Sequence, residues 1–108
     1  MSGKITKNLV NKEILLNHLF SRYKLKLVGS IAKKGYSYND IDILITLPQY
    51  PKAEEVFIEF DKDLKKEGWE YNFSDEKEDW GIFHNYQKKI GLNWVGLDIW
   101  VEEVCLIG

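Results

Sequence analysis

An α+β domain is the fold class this sequence predicts: a mixed or mostly antiparallel sheet with its helices packed on one face. Three observations predict it. Two stretches repeat apolar residues at helical spacing, and several shorter ones alternate apolar with polar residues as strands do. The order runs helix, strand, turn, strand, helix, then three strands. With 108 residues, 44% apolar and 14% aromatic, the chain can fill one modest core, so a single domain over 1–108 is expected.

The first helix is expected over Asn11 to Tyr23, where Leu15, Leu16, Leu19 and Phe20 form one apolar stripe, with a start as early as Thr6 left open. Lys and Leu then alternate from Lys24, predicting a strand that ends at Gly29. Ser30 to Gly35 reads as a short helical turn closed by a glycine suited to the left-handed position after a helix. A second strand, Asp40 to Leu47, is stopped by Pro48 and Pro51. Helix returns from Lys52 to Gly68, with Ala53, Val56, Phe57, Phe60 and Leu64 on one face, acids early and lysines late. Trp69 to Phe73 is predicted as a strand and Ser74 to Asp79 as a polar loop. Trp80 to Gln87 and Leu92 to Glu103 flank a Lys-Lys-Ile-Gly turn, the pattern of an antiparallel hairpin.

Composition narrows the function classes. A net charge of −2 gives no global basic field, so capture of nucleic acid by bulk electrostatics is not supported. The single cysteine, Cys105, has no internal partner and fits a small apolar role in a reducing compartment, here read as the cytoplasm. No apolar run approaches the roughly 18 residues a membrane span requires, and no signal-peptide core is visible near the N-terminus.

The informative stretch is Leu27 to Ile45. Alternation along its second strand puts Ile41, Ile43, Ile45 and Leu47 on one face, and Asp40 and Asp42 on the other. Two carboxylates then stand roughly 6.5–7 Å apart at Cβ on one side of the sheet, close enough to converge on shared cations. Hard divalent ions such as Mg²⁺ prefer carboxylate oxygen and keep positions open for phosphates. In the last strand, Leu97, Ile99 and Val101 form the covered face, which turns Asp98 outward with Trp100 and Glu102. If that strand lies beside Asp40 to Leu47, three carboxylates share a face and could carry two metals roughly 3.5–4 Å apart. Gly29 lets backbone approach an anion, Ser30 offers a hydroxyl at the start of the turn, and Lys33 or Lys34 can reach a phosphate, although both also read as exposed surface lysines.

Val28-Gly29-Ser30, nine residues, Asp40-Ile41-Asp42-Ile43, and later Leu97 to Val101 together resemble the nucleotidyltransferase superfamily of the DNA polymerase beta type. Gly29 to Leu44 is most similar to the minimal nucleotidyltransferases, many of which are antitoxins paired with a HEPN-domain toxin, some transferring AMP from ATP to a tyrosine of that toxin. The resemblance implies that Asp40 and Asp42 hold both Mg²⁺ ions, with Mn²⁺ as a substitute. Asp98 would hold the catalytic ion and accept the hydroxyl proton, while Gly29 and Ser30 hold the triphosphate. Asn39 stands where the family usually has Ser, a mild exchange between turn-forming residues. No helical substrate domain of the kind larger relatives carry is expected, so acceptor recognition is expected from this domain or from a partner. The competing reading is a binding module that neutralises a partner by contact, its acids vestigial.

Other residues read more plainly. His18 reads as structural, His84 as a half-exposed strand histidine with a ligand or base as the alternative, and Trp80 and Trp94 as packing residues with nucleobase or partner contact as the alternative. Trp100, on the face of Asp98, is the best candidate for stacking on a base. No Cys/His metal site or nucleophilic triad is present.

Overall fold

The computed structural model describes residues 5–6, 17–37, 40–49, 51–78 and 81–103. In chain order these form β1 (Ile5–Thr6), α1 (Asn17–Arg22), β2 (Leu25–Val28), α2 (Gly29–Lys34), β3 (Tyr36–Ser37) and β4 (Ile41–Leu47). Then follow α3 (Lys52–Lys66), β5 (Glu70–Lys77), β6 (Gly81–Ile90) and β7 (Asn93–Glu103). The fold is α+β, as the patterning predicts. Five strands build one mixed sheet in the order β2-β4-β7-β6-β5, and β1 pairs with β3 in a separate two-stranded ribbon.

The decisive feature of the sheet is where β7 lies. It pairs antiparallel with β6, as a hairpin must, and its other edge runs parallel to β4. The last strand is therefore inserted beside the strand that carries the aspartates. Every other pairing in the large sheet is antiparallel.

Alternation then divides the sheet into two faces. Ile41, Ile43, Ile45 and Leu47 of β4 and Val95, Leu97 and Ile99 of β7 are buried in one core with Leu19 and Tyr23 of the α1 segment and Ala53, Phe60 and Leu64 of α3. Glu54 and Glu55 in the first turn of α3 and Lys65 and Lys66 in its last oppose the helix dipole favourably. Gly68, at φ +95°, turns the chain so that Trp69 enters the core. Tyr23 ties the two helical segments together: its hydroxyl donates to Asp63 Oδ2 at 2.6 Å, and Arg22 reaches the same oxygen at 3.0 Å. Burial, reinforced by that hydrogen bond, pushes the Tyr23 phenol up to about 12, so it remains a donor at any physiological pH.

Several differences from the sequence expectations have simple causes; among them, β6 runs on through Lys88, Lys89 and Ile90, residues expected in the hairpin turn, because Gly91, at φ +63°, allows a tighter turn at Gly91–Leu92. β5 continues through Ser74 to Lys77, residues expected in a loop, because an edge strand exposed along its whole length tolerates polar and charged side chains. The short helix begins at Gly29 rather than Ser30, β4 begins at Ile41, and α3 stops at Lys66, two residues before its glycine. The predicted start of the first helix, Asn39, Trp80 and Cys105 lie outside the described residues. Among the described residues no helix is long and apolar enough to cross a membrane.

Phe60 is 1% exposed and meets Tyr23 edge-to-face, with ring centroids 5.2 Å apart. Phe60→Ala is expected to cost about 3–5 kcal/mol of unfolding free energy, by lost burial and a cavity between helix and sheet. Urea denaturation followed by tryptophan fluorescence measures this; a cost below about 1 kcal/mol contradicts the packing described.

Candidate active site

The face opposite the helices carries the acids. Register sets Asp42 directly beside Asp98 across the parallel β4–β7 pair, and Asn85 of β6 directly opposite Asp98 on its other side. Neighbouring strands lie about 4.8 Å apart, so three polar side chains form a row perpendicular to the strands. Asp40, just ahead of β4, is close enough to Asp98 for its charge to act on it, and its carboxylate lies against Gly96 of β7. The three acids expected on one face do meet there.

Asp42 and Asp98 each have a neutral donor. Trp100 Nε1 donates to Asp42 Oδ1 at 3.1 Å, and Asn85 Nδ2 donates to Asp98 Oδ1 at 2.6 Å. Asn72 Nδ2 in turn donates to Asn85 Oδ1 at 3.1 Å. These donors favour the ionised acids, but burial and mutual repulsion win. Asp42 titrates above the usual range, chiefly through burial, with the Asp40 charge adding to it against the Trp100 hydrogen bond. Asp98 is pushed up to about 6, again first by burial, then by the charges of Asp40 and Asp42 against the Asn85 hydrogen bond. Among the described residues, neither Asp42 nor Asp98 has a cationic hydrogen-bond partner.

Two glycines border the row. Gly29, at φ +69°, lies against Asp42 so closely that a Cβ there would overlap the carboxylate, with Cβ and Cγ of Asp42 at 3.0 Å. A side chain at Gly96 would likewise collide with Asp40. Backbone therefore flanks the acids at both ends, where any side chain would collide with them. A cavity of about 250 Å³ opens between Gly29, Asp42, Lys77 and Trp100. A second, of about 320 Å³, lies beyond the acids, between Asp40, Asn72, Phe73, Gln87 and Trp94.

The other expected residues fall as follows. Ser30 is the second residue of α2, and Lys33 and Lys34 are exposed in its last turn. Trp100 does share the face of Asp98, but its indole is spent on Asp42 and on Phe83, at 4.8 Å between centroids. His84 points to the helical face, away from the acids. Its ring packs on Phe57 at 4.8 Å, its Nδ1 meets the Tyr71 hydroxyl at 3.1 Å, and burial lowers its pKa against the nearby Asp61. Its position on a strand adjacent to Asp98 was no guide, because alternation places it one residue out of phase with Asn85. Sequence reasoning missed Asn85, Asn72 and Lys77. The hairpin of β6 with β7 was expected, but only its register, set by a tight turn at Gly91–Leu92 rather than by the Lys-Lys-Ile-Gly turn, marks Asn85 as the neighbour of Asp98.

Among the described residues no group of three or more acids, histidines or cysteines is gathered tightly enough to cage a metal by itself. The donor set nonetheless suits Mg²⁺, which is held by one or two carboxylates together with water and substrate phosphates rather than by an all-protein cage. Three crowded carboxylates, one of them raised to about 6 by burial and its acidic neighbours yet still mostly ionised at neutral pH, are such a set.

The raised acid has a consequence for the metal-free protein. A carboxyl that titrates near 6 when folded and near 3.8 when unfolded stabilises the fold fully below pH 3.8 and loses that contribution as pH rises through 6. Asp98→Asn is therefore expected to raise the melting temperature at pH 7.5, with chelator present, and to leave it nearly unchanged at pH 4. A scan at both pH values that finds no difference contradicts the crowding. No curated protein matches the chain as a relative. A family model described as a nucleotidyltransferase domain matches residues 12–94, a span that holds the Gly29–Ser30 turn, Asp40 and Asp42, and ends before Asp98. That match covers most of the chain, the sheet supplies the third carboxylate beyond it, and the chain belongs to the nucleotidyltransferase domain family.

Proposed function

We propose that this domain transfers a nucleoside monophosphate, AMP from ATP, to a hydroxyl acceptor and releases pyrophosphate. The observation that carries the reading is the in-register pairing of Asp42 with Asp98, with Asp40 against Asp98 and the Gly29 backbone against Asp42. Asp40, Asp42 and Asp98 are the residues that would hold two Mg²⁺ ions, which when bound neutralise triphosphate charge and acidify the acceptor hydroxyl.

The chain's own groups divide the remaining work. Gly29 and Ser30, with Lys33 or Lys34, seat the β- and γ-phosphates, and Lys77 adds a cation to the same cavity. Asp98, made more basic by burial and its acidic neighbours, receives the acceptor's proton. The acceptor oxygen bonds to the α-phosphorus as the bond to the bridging oxygen breaks, and the electron pair leaves with pyrophosphate. Attacking and leaving oxygens stand roughly in line in such a displacement. With pyrophosphate on the Gly29 side, the acceptor approaches from the cavity beside Asn72, Phe73 and Trp94. That cavity has no lysine or arginine among its described lining residues, which favours a hydroxyl of a partner protein, such as a HEPN-type toxin, over a nucleic-acid end.

Calorimetric titration is expected to detect Mg²⁺-dependent ATP binding that Asp40→Ala combined with Asp42→Ala abolishes. Binding that survives the double substitution sinks the assignment of these acids. With labelled ATP and the product of the neighbouring gene, the partner is expected to gain the mass of one AMP, and Asp98→Ala to slow this by at least about 10²-fold. A partner that is neutralised without any gain in mass supports contact inhibition instead.

A further inference from the structure

Asn85 is the polar residue that the described part of the molecule buries most completely, at 5% exposure. A buried amide is costly unless its groups are paired, and this one is paired at both ends. Its Oδ1 accepts from Asn72 at 3.1 Å, and its Nδ2 donates to Asp98 Oδ1 at 2.6 Å. The direction of the chain follows from chemistry. An ionised carboxylate can only accept, so the amide nitrogen must face Asp98 and the carbonyl must face Asn72.

The backbone is shaped to supply the second amide. β5 and β6 pair regularly except between Tyr71 and Phe73, where the register shifts by a bulge. The shift leaves Tyr71 on the helical face, in ring contact with Tyr86 and His84, and lets Asn72 and Phe73 both reach the acid-bearing face. There Asn72 meets Asn85, and Phe73 meets Phe83. A bulge that re-aims side chains beside a site is a recurrent device.

We propose that Asn85, braced by Asn72, is a positioning residue for the nucleotidyl transfer read above. It fixes one oxygen of Asp98 so that the other stays directed at the metal and acceptor position. An amide does this where a lysine or histidine would not: it donates without adding a positive charge that would displace a cation, and it does not titrate. Outer hydrogen bonds of this kind typically change metal affinity or activity by 10- to 100-fold. The inference rests on the metal-dependent reading of the three acids, and its test separates the two.

Mn²⁺ binding in the presence of ATP is followed by electron paramagnetic resonance, which counts free Mn²⁺ and needs no turnover. Wild-type binding that Asp40→Ala combined with Asp42→Ala leaves unchanged overturns the metal reading, and this inference with it. Given acid-dependent wild-type binding, Asn85→Leu, close in shape but unable to donate, is expected to weaken Mn²⁺ by about 10- to 100-fold. Asn72→Ala, at an exposed position, is expected to weaken Mn²⁺ by about three-fold or more without lowering the melting temperature appreciably, and it carries the test alone if Asn85→Leu does not fold. Mn²⁺ affinity within two-fold of wild type in a folded Asn85→Leu, or in Asn72→Ala where only that variant folds, overturns the positioning role.

Discussion

Everything at the candidate site depends on one backbone pairing: the parallel ladder that sets β7 against β4 with Asp42 opposite Asp98. Alternation alone turns Asp40 and Asp42 away from the core, but it cannot bring Asp98 to them. Because the side-chain period of a strand is two, a slip of one residue in this ladder would bury Asp98 among isoleucines and expose Ile99. The apolar residues on the other face forbid that slip. Ile41, Ile43, Ile45, Leu97 and Ile99 are all fully buried, so the hydrophobic effect fixes the register that holds three mutually repelling charges together. The core beneath the sheet offsets the repulsion above it.

The helical face has a chemistry of its own that serves this end. Tyr86 donates to Asp61 at 2.6 Å, Lys65 pairs with the same aspartate at 2.9 Å, and Tyr23 and Arg22 converge on Asp63. These contacts pin α3 to β6 and to the α1 segment at its more exposed edge, where apolar contact thins out. Asp61 titrates below the usual range, its Tyr86 and Lys65 partners outweighing partial burial, so it stays an acceptor. Acids on the two faces thus meet opposite fates: Asp61, with a phenolic and a cationic partner, stays charged, while Asp42 and Asp98, buried beside other acids, resist ionisation.

Local patterning made much of this legible. The strand over Ile41 to Leu47 and the amphipathic face of α3 follow from side-chain periods that local sequence carries in full, and so does the outward aim of Asp40, Asp42 and Asp98. Strand order does not follow from any period. That β7 sits between β4 and β6, that Asn85 therefore touches Asp98, and that a bulge brings Asn72 to the same face are consequences of long-range pairing. His84 and Asn85 illustrate the limit: two adjacent polar residues on one strand, of which the eye picks the histidine, while the register delivers the asparagine. Edge strand β5 was legible only up to Phe73, because residues that face water on both sides carry no apolar period to read.

The insertion of β7 also says something about when the site comes into being. β4 is laid down early in the chain, and α3, β5 and β6 all intervene before β7 arrives to pair with it. Contacts of such long sequence separation form late, since the loop entropy they cost must be met before they stabilise anything. A chain still emerging from the ribosome therefore carries Asp40, Asp42 and the Gly29 turn without the strand that completes them. Completion of the acid row is then coupled to the closing of the sheet: a half-folded copy carries Asp40 and Asp42 without Asp98 beside them.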